Sequence, residues 1–165
     1  MTKVTSNINI KASKDEVWAA LANLGGIQNF HPGVSKSYYI TDQKEGLGAA
    51  RVCELLPMGK VEEHVIDWKH GEEMTLDVVP LEKAPPLRDA TGRLQLTEED
   101  DGSVRVTMTV EYGLKFGPLG RVMDILLVRP QFEKVVPRVL RGLKRHLETG
   151  EILRAAEHRW VPAAA

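Results

Sequence analysis

Apolar and polar residues alternate along much of the chain, then switch near its end to a spacing of three or four. The first alternation, with Val4, Ser6, Ile8 and Ile10 as its imperfect inner series, predicts a strand over about Val4 to Ile10. Five further runs bounded by turn residues predict strands at about Val34 to Thr41, Ala49 to Leu56, Lys60 to Trp68, Met74 to Pro80 and Arg88 to Thr97. The clearest alternation comes last, through Val104, Val106, Met108, Val110 and Tyr112, with Arg105, Thr107, Thr109 and Glu111 as its solvated side. Asp100-Asp101-Gly102 before it is a hairpin turn. Pro85-Pro86 predicts a loop or bulge, not a tight turn, between the strands on either side.

Two helical patterns interrupt and close this series. Ser13-Lys14-Asp15-Glu16 forms a capping box, in which the Ser13 hydroxyl accepts from the third helical N–H while Glu16 reaches back. The helix it opens carries Val17, Trp18, Leu21 and Leu24 and stops at Gly25-Gly26. A short helical connector, Ile27 to Phe30, then enters the turn His31-Pro32-Gly33. From Gly117 to Glu151 the apolar residues Val122, Ile125, Leu126, Phe132, Val136, Leu140, Leu143 and Leu147 line one face of a long helix. Pro130 and Pro137 remove donors and crowd the carbonyls of Leu126 and Glu133, at about 3 kcal/mol each in an uninterrupted helix interior. A bend or break is expected near Arg129, separating a short helix from about Leu119 from a longer one over Gln131 to Glu148. Gly142, inside the second part, implies close packing against a strand or, as the alternative, close approach of a ligand.

A single long stripe needs a partner of matching extent, and the preceding strands are the available one. The fold predicted is therefore α+β, an antiparallel sheet of about seven strands in the order β-α-α-β6-α, curved around the terminal helix. Residues 1–150 make one domain and residues 151–165 an extension, frayed at Pro162 to Ala165. The 165 residues suffice to bury roughly two-thirds of the chain's surface, so no second domain is required. A formal net charge of −1 gives no basic footprint for nucleic acid. The lone Cys53 cannot close an internal disulfide and the N-terminus lacks a signal core, which fits a reducing cytoplasm. No apolar run reaches the roughly 18 residues of a spanning helix, so integral membrane association is not expected.

Several segments resemble the SRPBCC superfamily, the helix-grip fold of START domains, birch-type pollen allergens and polyketide cyclases. They are Ala12 to Trp18, Phe30-His31-Pro32-Gly33, Gly48-Ala49-Ala50-Arg51, Val61-Glu62-Glu63-His64 with Asp67, and Gly117-Pro118-Leu119-Gly120. The chain is most similar to bacterial members of polyketide cyclase/dehydrase-like or lipid-transport-like type, although Phe30 and Met108 stand where those relatives often carry Trp. The resemblance implies a cavity between sheet and helix for a small hydrophobic or amphipathic molecule, lipid- or polyketide-like. Its lining would be Phe30, His31, Val52 or Cys53, Leu76, Val78, Leu94, Met108, Val110 and Tyr112, with Met123, Leu127, Phe132 and Val136 from the helix.

Acid/base candidates are His31, at the cavity mouth, Glu54 and Tyr112, and they keep a cyclase/dehydratase activity as an alternative. Glu63 and His64 are consecutive on a strand and point to opposite faces, so only one of them enters the cavity. The five histidines show no metal-ligand spacing and there is no phosphate loop or nucleophile elbow; neither metal nor cofactor is expected. Cys53 reads as a small buried hydrophobe and not an activated thiolate. The Arg-rich end of the last helix, with Arg138, Arg141, Lys144, Arg145 and Arg154, reads as a solvated face because Glu133, Glu148, Glu151 and Glu157 are interleaved. A third class of function, a module presenting the outer sheet face to a protein partner, requires an exposed apolar patch on the outer strands.

Overall fold

A computed structural model describes residues 1–57, 59–84 and 86–163. Strand β1 (Thr2–Ile10) leads to helix α1 (Lys14–Ala22) and a 3-10 segment over Leu24–Asn29. Six strands follow: β2 (Val34–Tyr39), β3 (Ala50–Leu55), β4 (Gly59–Lys69), β5 (Glu73–Pro80), β6 (Leu87–Glu98) and β7 (Val104–Leu114). They form one seven-stranded sheet in the order β1-β7-β6-β5-β4-β3-β2. Every neighbouring pair is antiparallel. Pro85, half of the Pro-Pro interruption expected before β6, lies outside the described residues. The capping box is present: Glu16 N–H donates to Ser13 Oγ at 3.2 Å, and Ser13 N–H to Glu16 Oε2 at 2.8 Å. One solvated position on β7 differs from expectation, since Thr109 is buried and exchanges a 3.1 Å hydrogen bond with Thr5 of β1.

The terminal helix runs from Gly117 to Thr149 without a break, as α2 (Gly117–Met123), a π turn over Asp124–Val128, and α3 (Arg129–Thr149). The π turn is how the chain accommodates Pro130, which has no N–H to give Leu126. In that turn Arg129 N–H donates to the Asp124 carbonyl five residues back. The wider turn also shifts the helical phase. Buried positions recur every fourth residue from Val136 through the half-buried Phe132 to Val128, Asp124 and Gly120. Val122, Ile125 and Leu126, expected on the sheet-facing stripe, are thereby rotated outward and are 53%, 61% and 68% exposed. The stripe is buried only beyond the π turn, at Val136, Leu140 and Leu143, with Leu147 partly so. Gly142 packs against the backbone carbonyl of Phe30 in the connector, not against a strand.

Residues beyond the helix form a short hairpin. Gly150, in the left-handed conformation at φ 73°, ends α3. β8 (Glu151–Arg154) and β9 (Arg159–Pro162) then pair as a hairpin, with Ile152 opposite Val161 and Leu153 opposite Trp160. Pro162 belongs to β9, and residues 164 and 165 lie outside the described residues.

Helix α3 lies chiefly over β1, with β7 and α1 also beneath it. The interior divides into three apolar clusters. One gathers Trp18, Leu21, Met74, Leu96, Val106, Leu140 and Leu143. A second holds Val4, Ala90, Val110, Tyr112, Val128 and Val136, and a third Val34, Cys53 and Val61. The half-buried side chains Met108 and Val78 each touch two of these clusters, so the middle of the concave face is where the packing thins.

Candidate functional site

The register of β6 places Gly92 opposite the inward-facing Leu76 and Val110. A Cβ built on Gly92 would meet no atom within 4 Å, so the space directly over this residue is open. Half-buried Val78, Leu94, Met108 and Phe132 lie on the same side, apolar side chains that keep some exposure although they face inward. A gap bordered by partly exposed apolar groups is the kind of surface an apolar guest covers.

A polar wall lies on the same face where β3 meets β4. Arg51 and Glu63 are register partners and pair at 2.6 Å, and Arg51 Nη1 also donates to the Leu24 carbonyl at 2.6 Å. Cys53 Sγ lies 3.4 Å from the same Glu63 oxygen. Burial alone would raise the Glu63 carboxyl, but Arg51 outweighs it and holds the group below the ordinary carboxylate range. The Arg51 guanidinium is correspondingly held charged by Glu63 against the cost of burial. Burial pushes the Cys53 thiol up to about 12, with Glu63 adding to the effect, so the thiol stays protonated.

His31 lies close enough to this pair to feel both charges. Its Nδ1 accepts from Gly33 N–H at 3.0 Å, which leaves the proton of the neutral ring on Nε2 and makes that atom a donor. Burial lowers the imidazole to about 4; Glu63 opposes that shift and Arg51 reinforces it. The folded value lies below the unfolded 6.5, so the unfolded chain binds the extra proton between them. Stability should therefore fall as pH drops from about 6.5 towards about 4. Because the residue retains some solvent exposure, the expected effect is about 1–2 kcal/mol, less than the full shift. Urea melts at about pH 7 and about pH 5, on either side of the ordinary imidazole range, should show this slope, and His31→Gln should flatten it. An equal slope in both proteins would mean the ring is freely solvated.

The three acid/base candidates are not brought together. Glu54 turns to the convex face, opposite Lys60, with which it pairs at 3.4 Å. Tyr112 sits at the far end of the sheet and donates to Asp124 at 2.5 Å. Burial, then this bond, raises its phenol well above the ordinary range, so it holds its proton and serves as a donor, not a base. Asp124 also accepts from Thr2 at 2.6 Å and Arg129 at 3.0 Å, and these three partners overcome its burial to keep it ionised. Tyr112, Asp124, Arg88, Arg121 and Arg129 line an open cleft of about 570 Å³ between the ends of β1, β6 and β7 and the start of the terminal helix.

Among the other expected lining residues, Phe30, Leu76, Val110 and Val136 are buried in the clusters. On β3 the alternation selects Cys53 as the inward residue, and Val52 faces the convex side opposite Glu62. Met123 is half-buried, and Leu127 is 58% exposed, turned out with the rest of the π turn. Sequence reasoning missed Arg51–Glu63 as a pair, although both residues stand in the motifs quoted above. The available signal was that the two strands are joined by only a few residues between Leu55 and Gly59, which sets Arg51 and Glu63 side by side.

An antiparallel sheet of seven strands with a long C-terminal helix packed across one face defines the helix-grip class of α+β proteins. Within it, the chain belongs to the family described as polyketide cyclase / dehydrase and lipid transport, whose model matches residues 1–148. No curated protein matches it. Among solved structures, a protein of Thermus thermophilus superposes with a TM-score of 0.71 at 19% identity, covering 90% of this chain and 99% of that one. A START superfamily protein from Mycobacterium smegmatis gives 0.69 at 9% identity, covering 88% and 97%. The di-domain ARO/CYC BexL from the BE-7585A biosynthetic pathway gives 0.71 at 13% identity; 90% of this chain aligns with 47% of that protein. Identities this low establish a shared fold and carry no activity with them.

Proposed function

We propose that the protein binds a small hydrophobic or amphipathic molecule, lipid- or polyketide-like, against the concave face of the sheet beside α3. The uncovered Gly92 carries this reading, with the inward but incompletely buried Val78, Leu94, Met108 and Phe132 around it. The Arg51–Glu63–His31 wall supplies the few polar groups that orient a guest in an otherwise apolar site. Native mass spectrometry of protein purified from its own host should show an adduct that leaves on denaturation. Gly92→Trp, which fills the gap from the sheet side, should abolish the adduct and leave the melting temperature nearly unchanged. Adduct retained at full occupancy in that variant would remove the ligand from the concave face.

The same wall favours a second reading, a cyclase/dehydratase. Its Nε2–H donor at His31 could polarise a substrate carbonyl beside the charged pair. Under that reading His31→Gln binds a polyketide-like substrate normally and loses turnover; a variant that fails only in binding leaves His31 as an orienting group.

A further inference from the structure

Helix α2 and the π turn expose an unusual density of large apolar side chains. Phe116, Leu119, Val122, Ile125, Leu126 and Leu127 are each between 53% and 68% exposed. This orientation is fixed by the structure. Asp124 is tied inward by Thr2, Tyr112 and Arg129, and a Cβ at Gly120 would collide with the Lys115 carbonyl. The segment cannot roll over to bury its leucines without breaking those contacts. Contiguous exposed apolar surface of this kind marks a docking site.

The charges around the patch select the partner. Lys115 and Arg121 are exposed and make no ion pair among the described residues, and Arg129 leaves its guanidinium 45% exposed beside Asp124. Asp124 is the only acid between Lys115 and Pro130, and it is buried and committed. A second copy of the chain docked symmetrically on this patch would set these cations against each other. An anionic bilayer meets both requirements, accepting the apolar side chains below the headgroups and pairing the cations with lipid phosphates. We propose that Phe116 to Leu127, rimmed by Lys115, Arg121 and Arg129, is a peripheral docking surface for an anionic membrane, which would place the mouth of the Tyr112 cleft at the lipid surface. The proposal is independent of what occupies the concave face.

Co-sedimentation of the full chain with phosphatidylcholine vesicles, with and without phosphatidylglycerol, tests it. The chain should pellet with the anionic vesicles at low salt and be released as salt rises. Arg121→Glu should weaken partition about fivefold or more, the factor for losing one interfacial cation. Leu126→Glu should weaken it more than about tenfold, the factor for keeping one leucine out of the apolar phase. Both side chains are solvent-facing, so both variants should melt as the parent does, and Gly92→Trp should still sediment. No pelleting with either vesicle overturns the proposal, as does equal pelleting with neutral vesicles that Arg121→Glu leaves unchanged. A solution dimer that Leu126→Glu dissociates would assign the patch to a second copy and overturn it equally.

Discussion

Replacing Arg51 with Met should destabilise the protein by about 3 kcal/mol, because it leaves the Glu63 carboxylate, with only 16% of its side chain exposed, without its counter-ion. Arg51 is 3% exposed and commits its guanidinium to Glu63 and to the Leu24 carbonyl, so one substitution strands two acceptors. Glu63→Leu should cost a comparable amount by stranding the cation. The double variant Arg51→Met, Glu63→Leu should recover most of either loss, since an apolar pair of similar volume has no charge to desolvate. Urea denaturation of the four proteins forms the cycle that measures the coupling. Additive losses would mean that each group is solvated on its own and that the pair is not the wall described above. A further consequence concerns the site: without the pair, the charges acting on His31 disappear, and its pH-dependent stability should be governed by burial alone.

That pair also shows where reading the sequence succeeds and where it stops. Alternation over Val104 to Tyr112 and turn residues around each run were enough to locate all seven strands of the main sheet, because a half-buried strand imposes its period on the residues themselves. Ser13 and Glu16 similarly announced the start of α1, since both partners of the cap lie within one helical turn of sequence. What was not legible depended on phase or on distant partners. Pro130 warned of a disturbance, but its resolution as a π turn instead of a break reversed the faces of Val122, Ile125 and Leu126. No periodicity measured on an ideal helix contains that extra residue. The β8–β9 hairpin was hidden for another reason: its apolar pairs, Ile152-Leu153 and Trp160-Val161, are too short to show a period. The site residues divide in the same way. His31 stood out by chemistry, whereas the choice between Val52 and Cys53, and the side to which Glu54 turns, stayed open in the sequence because a one-residue change of strand phase moves a side chain to the other face.

Gly142→Ala separates local propensity from tertiary packing most sharply. On helix propensity alone the substitution should stabilise an interior helical position by up to about 1 kcal/mol. In the fold it should destabilise by roughly 2–3 kcal/mol, because the new methyl drives into the backbone carbonyl of Phe30, which cannot rotate away as a side chain would. The position is buried in the middle of α3, between Leu140 and Leu143, which are each 1% exposed, so the helix has no room to step back. Relief must come from the Phe30–Gly33 connector, and that connector carries His31. The variant should therefore lose, along with stability, the pH dependence between about 6.5 and about 4 that the partly buried imidazole contributes, as His31→Gln does. Arg141→Ala, one residue away on the exposed side, supplies the control and should change stability by less than about 0.5 kcal/mol. Thermal and urea melts of the two variants decide the point. If Gly142→Ala is the more stable of them, the connector does not lie against α3, and the placement of His31 beside Arg51 and Glu63 fails with it.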